Sequence, residues 1–301
     1  MRFSRTLSAL AVVVSMTGTV AATQVLAPSA GAVVKPTVLL VHGIKRGNTT
    51  TEPGKGTDCQ AYFADARTRL APTNTVKTIG FYSNDANCDA QLAVIDDNGS
   101  TASTVNTNIH AVGKALAWYI YNNYSQNGGA PIKLAGHSMG GLVIFDALYE
   151  TAQHRPGYPP YLNVNRVVTL ESPLAGMRPE VVAGCVGLQC TQFSSGVNSN
   201  NFTLAAGTWL HDRLGFSTHC DSAGATATSK PAVPLALGAS GTGQTLWASL
   251  GSQWDTVVSS CSATSIQSNP ATVLPLSQMI NHDEVLTANV GLTFLQTNLD
   301  R

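Results

Sequence analysis

The sequence predicts a protein of the α/β class, with a mostly parallel central sheet flanked by helices. Uninterrupted apolar runs at Thr37–His42 and Ile132–Ala135 are typical of strands that are covered on both faces. A third strand pattern follows at Val167–Leu170. Amphipathic helix patterns lie between these strands, and strands that alternate with helices in this way form parallel sheets.

The first half of the chain supplies two strands and two helices. The strand Thr37–His42 runs directly into Gly43, and the stretch CQAYFADARTRL (59–70) predicts a helix. A second strand is expected over Val76–Tyr82. The next helix carries its apolar residues at helical spacing and ends before a pair of glycines; these apolar residues are Ile109, Val112, Leu116 and Ile120.

The second half begins with a short strand that turns abruptly into a helix starting near Met139. After Val167–Leu170, residues 175–243 are rich in Ser, Thr, Gly and Cys and lack periodicity, which indicates an insertion with disulfides before the last strand. The stretch TLWASLGSQWDTVV (245–258) predicts that last strand and a loop after it. A terminal helix is expected from about Asp283.

The N-terminal residues 1–32 have the pattern of a secretion signal. Arg2 and Arg5 precede an apolar stretch from Leu7 to about Val20, and Ala30 and Ala32 have the spacing that a signal peptidase recognises. The apolar stretch is shorter than the roughly 18 to 20 residues that a membrane span needs. We therefore expect cleavage after Ala32, a secreted, extracellular protein, and one catalytic domain over residues 33–301.

All six cysteines follow the expected cleavage site. An even number in an exported protein favours three disulfides, although six cysteines allow fifteen pairings. We favour pairs that are neighbours in sequence: Cys59 with Cys88, Cys185 with Cys190, and Cys220 with Cys261. No Cys-x-x-Cys or Cys-x-x-His spacing occurs, so no metal cluster is expected.

Composition limits the classes of partner. The chain has 301 residues, of which 44% are hydrophobic and 11% charged, and its formal net charge is zero. Runs of one charge are absent, which argues against basic nucleic-acid arms and acidic tails. We therefore expect no nucleic-acid partner, at most transient contact with a lipid interface, and a monomer.

The stretch LAGHSMGGL (134–142) contains a serine, Ser138, with Gly136 and Gly140 two places on either side. This pattern also occurs in ordinary glycine-rich turns. Here it lies between a strand and a helix, where a strained turn lifts the hydroxyl above the sheet. A neutral serine is a poor nucleophile, so this interpretation requires a histidine base and an acid that orients the histidine.

His282 is the candidate base, because it follows the last predicted strand and precedes the terminal helix. Asp255 is the candidate acid, because it lies where the preceding strand ends. Glu171 ends another strand and remains the alternative acid. The amides of Met139 and Ile44 are the candidate donors to an oxyanion.

Several segments resemble the α/β-hydrolase family of secreted bacterial lipases and esterases. They are Val41–Ile44, Gly136–Gly141, Thr169–Gly176, Trp254–Val258 and Asn281–His282. The resemblance implies the α/β-hydrolase fold and ester hydrolysis without a cofactor or metal. It also implies a triad of Ser138, Asp255 and His282, with oxyanion donors at the positions of Ile44 and Met139.

The sequence thus predicts a secreted serine hydrolase of carboxylic esters, a lipase or esterase. Its substrates are expected to be small-molecule or lipid esters, in particular acylglycerols. The alternatives are an acyltransferase, a polyester hydrolase or an amidase that uses the same triad. A non-catalytic binding protein on this scaffold is a further alternative, because folds are shared by unrelated functions.

Overall fold

The computed structural model describes residues 34–44, 56–96, 98–103, 107–174, 245–266 and 268–301. The predicted signal 1–32, the Cys185–Cys190 pair and the segment 175–243 lie outside these residues. From Lys35 onward, the described residues belong to one compact unit.

Seven strands form the sheet of this unit. They are β1 (Thr37–Val41), β2 (Thr75–Gly80), β3 (Ala90–Gln91), β4 (Ile132–His137), β5 (Val164–Leu170), β6 (Leu246–Ser252) and β7 (Ala271–Leu274). Their order in the sheet is β3-β2-β1-β4-β5-β6-β7, and all neighbours are parallel. The predicted parallel sheet is confirmed.

Helices cover both faces of the sheet. They are α1 (Cys59–Tyr62), α2 (Ala64–Leu70), α3 (Ile109–Ile120), α4 (Met139–Ala152), α5 (Ser260–Ala263) and α6 (Asn289–Leu299). A π-helical turn (Tyr121–Ser125) and a 3-10 turn (Gln126–Gly128) follow α3, and further 3-10 turns span Leu276–Gln278 and Glu284–Leu286. Within the described residues, no helix is long and apolar enough to cross a membrane.

Strand β1 shows why the apolar run at the start of the chain is uninterrupted. Leu39 and Val41 belong to a core that includes α3 and α4, whereas Val38 and Leu40 belong to a core that includes α2 and α6. Successive side chains of a strand point to opposite faces, so burial on both faces requires an apolar residue at every position.

Four elements differ from the sequence-based expectation. The predicted helix at 59–70 is divided at Phe63 into α1 and α2. Strands β3 and β7 were not predicted. The segment 175–243 therefore precedes β6, and β7, not β6, is the last strand. The terminal helix begins at Asn289 rather than near Asp283, because a 3-10 turn at Glu284–Leu286 and extended backbone at Ala288 (ψ 134°) come first.

The predicted Cys59–Cys88 disulfide is confirmed. Cys261 is also disulfide-bonded, and its partner lies outside the described residues. The predicted pairing of Cys261 with Cys220 therefore stays a prediction.

Candidate active site

Ser138 lies on a sharp bend between β4 and α4. Its backbone adopts φ 53° and ψ −129°, a conformation that is costly for a residue with a side chain. Two glycines make the bend possible by close packing. A Cβ at Gly140 would lie 2.0 Å from the carbonyl oxygen of Val41, and one at Gly136 would lie 2.5 Å from the amide nitrogen of Gly141.

The structure brings the three predicted triad residues together. The Ser138 hydroxyl donates to Nε2 of His282 across 2.8 Å, and Nδ1–H of His282 donates to Oδ2 of Asp255 across 2.7 Å. Ser138, Asp255 and His282 follow β4, β6 and β7, respectively. They meet because the carboxyl ends of parallel strands share one edge of the sheet. Their exposed fractions are only 6%, 1% and 8%.

Hydrogen bonds from the backbone stabilise the ionised form of the Asp255 carboxyl group. Its Oδ1 accepts hydrogen bonds from the amides of Val257 (2.6 Å) and Val258 (3.0 Å). Burial by itself would raise the pKa of Asp255, but hydrogen bonding and charge from His282, together with the other donors, lower it below the ordinary value. The carboxyl group that faces His282 is therefore ionised near neutral pH.

The end of β1 lies against Ser138 at Gly43. A Cβ at Gly43 would lie 2.6 Å from Cβ and 3.1 Å from Oγ of Ser138. The Gly43 carbonyl accepts a hydrogen bond from Nδ1 of His42 across 2.7 Å. The N–H of Ile44 belongs to the same trans peptide as this carbonyl, so it points away from the His42 ring.

Met139 is the first residue of α4, so its amide belongs to the turn whose N–H groups have no acceptor within the helix. The two predicted oxyanion donors, Ile44 and Met139, thus lie on the segments that contact or directly follow Ser138. Both are backbone groups, and their side chains do not determine the role.

Only the comparison with solved structures found proteins similar to this chain. No protein-family model and no curated protein matches the sequence. The mature form of the Bacillus licheniformis lipase BlEst2 superposes with a TM-score of 0.51 at 14% identity, covering 88% of this chain and 92% of the lipase. Aspergillus fumigatus lipase B gives a TM-score of 0.50 at 14% identity, covering 90% of this chain and 54% of that chain.

The chain has the α/β-hydrolase fold. At this level of identity the likeness shows the fold alone. The assignment of chemistry to the α/β-hydrolase scaffold therefore depends on the residues at the edge of the sheet.

Glu171, the alternative acid, lies near Asp255 in this α/β-hydrolase fold. It is fully buried and its left-handed backbone (φ 47°) turns the chain at the end of β5. Among the described residues, its carboxyl oxygens have no hydrogen-bond partner, and they lie near the charge of Asp255. Burial and the negative charge of Asp255 raise the pKa of Glu171 well above the ordinary value, more than the N–H of Ser252 lowers it. Glu171 is therefore protonated, and Asp255 is the carboxylate that faces His282.

A buried pair of His42 and Asp85 lies next to Gly43. Nε2 of the His42 ring lies 2.9 Å from Oδ2 of Asp85, and the ring stacks on that of Phe81 at a centroid distance of 4.0 Å. Burial opposes the ionisation of Asp85, but hydrogen bonds from His42 and from the amides of Thr57 and Tyr82 lower the pKa of Asp85. His42 ends an apolar run in the sequence, and a buried histidine of this kind needs a polar partner. No local pattern in the sequence identifies Asp85 as that partner.

A second cluster of ionisable groups joins α3 to α4. His110 Nδ1 and Asp146 Oδ1 are 2.5 Å apart, and the Tyr158 hydroxyl donates to Oδ2 of Asp146 across 2.7 Å. Arg155 pairs with Glu150 across 3.1 Å. His110, Asp146 and Glu150 have the composition of a metal site, but these bonds already engage their polar atoms. We assign the cluster a structural role.

Proposed function

We propose that this protein is a serine hydrolase of carboxylic esters, that is, a lipase or esterase. One observation carries the proposal: an unbroken hydrogen-bonded chain runs from Ser138 through His282 to Asp255. The serine at its head lies on a strained bend at the carboxyl edge of the sheet. This arrangement is the one that activates a serine for acyl transfer.

In the proposed reaction, Oγ of Ser138 attacks the carbonyl carbon of the ester while its proton passes to Nε2 of His282. Asp255 stabilises the imidazolium that forms, and the amides of Ile44 and Met139 donate hydrogen bonds to the oxyanion. The tetrahedral intermediate then breaks its bond to the alcohol oxygen, and His282 protonates the departing alcohol. An acyl ester remains on Ser138.

The second half of the cycle repeats these steps with water. His282 removes a proton from a water molecule, whose oxygen attacks the acyl carbon, and the same two amides hold the second oxyanion. Collapse returns the proton to Ser138 and releases the carboxylic acid. The reaction is redox-neutral, and the chain supplies every group that it needs.

We further propose that the protein is secreted and acts as a monomer on small-molecule or lipid esters, including acylglycerols. The charged and apolar pattern that ends at Ala32 supports export. The low charge and the absence of charge runs in the sequence support an uncharged substrate and only transient contact with a lipid interface.

The test compares the wild type with Ser138→Ala on short-chain and long-chain p-nitrophenyl esters. We expect kcat to fall by at least about 1,000-fold in Ser138→Ala, because the nucleophile is lost. The matched control is Ser249→Ala, which removes another buried hydroxyl, one that is bonded to Thr169 across 3.1 Å. This control should keep the activity of the wild type.

A fluorophosphonate distinguishes the alternatives. We expect it to label the wild type at residue 138 and to leave Ser138→Ala unlabelled. Near wild-type activity in Ser138→Ala would overturn the proposal, and an unlabelled wild type would favour a binding protein. Labelling without hydrolysis of esters would favour acyl transfer to another acceptor or an amide substrate.

A further inference from the structure

A second hydrogen-bonded chain lies beside the proposed triad and joins two loops: the one after β1 and the one that carries His282. The amide of Gly43 donates to the hydroxyl oxygen of Tyr62 across 3.1 Å. That hydroxyl lies 2.5 Å from Nδ1 of His137, and Nε2 of His137 lies 2.9 Å from the carbonyl oxygen of His282. The chain therefore starts one residue before Ile44 and ends on the backbone of the proposed base.

Each hydrogen bond in this chain has only one satisfactory direction. The carbonyl oxygen of His282 can only accept, so Nε2 of His137 carries a hydrogen. His137 is 1% exposed, and burial together with the nearby His282 ring lowers its pKa to about 3. Because the ring is neutral, Nδ1 has a lone pair and accepts from the Tyr62 hydroxyl.

The hydroxyl of Tyr62 therefore donates to His137 and accepts from Gly43 at the same time. Loss of hydration raises the pKa of Tyr62 above its ordinary value, so the donor proton is retained. Phenylalanine has the same ring and lacks both functions. Its presence would leave Nδ1 of His137 and the amide of Gly43 without this partner.

Tyr62 is itself fixed to the body of the protein. It ends α1, whose first residue, Cys59, is linked to Cys88 by the disulfide and donates its amide to the carbonyl of Ala86 across 2.9 Å. The side chain of Asp58 caps this short helix by accepting from the amide of Ala61. Tyr62 thus offers a fixed point to which both loops are bonded.

We propose that Tyr62 is a positioning residue that sets the oxyanion amide of Ile44 and the ring of His282 in one common geometry. It acts through Gly43 on one side and through His137 on the other. The role rests on the proposed function. It follows from the steep dependence of acyl transfer on geometry, where a shift of about 1 Å costs about 100-fold in rate.

The test is Tyr62→Phe, compared with Tyr158→Phe as the matched control. Tyr158 also donates a hydroxyl to a buried partner, Asp146, across 2.7 Å, but that pair belongs to the cluster between α3 and α4. We expect kcat to fall about 10- to 100-fold in Tyr62→Phe with KM within about twofold. Tyr158→Phe should lose stability and keep both constants.

Three further readouts separate positioning from folding. Titration with a fluorophosphonate counts folded sites, so kcat is expressed per labelled site. The rate constant of labelling should fall in parallel with kcat. The loss in Tyr62→Phe should also be strongly non-additive with that in His137→Gln, because the two variants break the same chain.

The outcomes are distinguishable. An active wild type in which Tyr62→Phe and Tyr158→Phe have equal kcat per labelled site would overturn the role of Tyr62 alone. A loss confined to KM, or fully additive effects with His137→Gln, would also overturn it. A wild type that neither hydrolyses esters nor reacts at Ser138 would overturn the proposed function and this role with it.

Discussion

The buried carboxyl group of Glu171 lies close enough to the buried carboxyl group of Asp255 for the charge of one to shift the pKa of the other. Two adjacent carboxyl groups cannot both be ionised at low cost, so one of them keeps its proton. The pKa of Glu171 is raised and that of Asp255 is lowered, which places the proton on Glu171. Glu171 is then the neutral neighbour of the proposed triad acid.

The two carboxyl groups should respond differently to neutral replacement. We expect Glu171→Gln to keep most of the activity, because glutamine, like the protonated carboxyl group, is neutral beside Asp255. Asp255→Asn should lower kcat by about 10,000-fold, because it removes the anion that orients the His282 ring. Steady-state kinetics on a p-nitrophenyl ester measure kcat for both variants. The reverse ranking would identify Glu171 as the triad acid.

The buried proton of Glu171 should reduce stability at neutral pH. Above the ordinary pKa of 4.5 the unfolded chain releases this proton and the native protein holds it. The free energy of unfolding of the wild type therefore declines as pH rises above 4.5, by up to about 1.4 kcal/mol per pH unit from this group. In urea titrations, the free energy of unfolding of Glu171→Gln should increase relative to that of the wild type as the pH rises from about 4.5 to 7.5. A gap independent of pH would contradict this prediction.

His137 should contribute the opposite pH dependence. Its pKa is about 3 in the native protein and 6.5 ordinarily, so below pH 6.5 only the unfolded chain gains the proton. The free energy of unfolding should therefore fall as pH decreases from 6.5 towards 3, by up to about 1.4 kcal/mol per pH unit. His137→Gln should show a shallower decline between about pH 6.5 and 5, whereas replacement of the exposed His154 by Asn should not.

Gly43→Ala tests the contact between β1 and the proposed nucleophile. The new methyl group would lie 2.6 Å from Cβ of Ser138, so one of the two segments must move. We expect kcat to fall at least about 100-fold, because Ile44 and Ser138 are displaced relative to each other. Gly99→Ala is the control: open space surrounds that position, so its left-handed backbone (φ 80°) should affect stability alone. Equal activity in the two variants would disprove the contact.

The Cys59–Cys88 disulfide should stabilise both the fold and the position of Tyr62. It closes a loop with a sequence separation of 29 residues, for which chain entropy predicts about 3 to 4 kcal/mol. Replacement of both cysteines by alanine should lower the midpoint of urea unfolding by a corresponding amount. Activity of the remaining folded protein should also decline, because α1 loses one of its attachments. Unchanged kcat per labelled site would show that α1 is held sufficiently by Asp58 and Ala86.

The sequence predicts those parts of the site whose chemistry is tied to a local pattern. Ser138 is recognised by its flanking glycines, and Asp255 and His282 by their places after predicted strands. Strand β1 is recognised because burial on both faces makes every residue apolar. The relation between fold and site then follows from the common edge of a parallel sheet.

Other parts depend on tertiary contacts that no local pattern reports. Tyr62 reaches Gly43 and His137 only because α1 is anchored to the loop at Ala86. The protonation of Glu171 depends on Asp255, which is distant in sequence. Strand β7 has only one buried residue, Leu274, and therefore lacks the apolar run of a central strand. The start of α6 was misplaced because Glu284 begins a 3-10 turn instead of an α-helix.

Every neighbouring pair of strands in the described sheet is parallel, so none of these pairs can be closed by a hairpin. Each pairing must wait for a long crossover to be brought back, which makes refolding slow compared with that of a helical bundle of similar size. Ser138 and His282 can meet only after strands from both halves of the chain have docked. Recovery of ester hydrolysis after dilution from denaturant is therefore a late event, and it reports completed assembly more faithfully than the recovery of helical signal does.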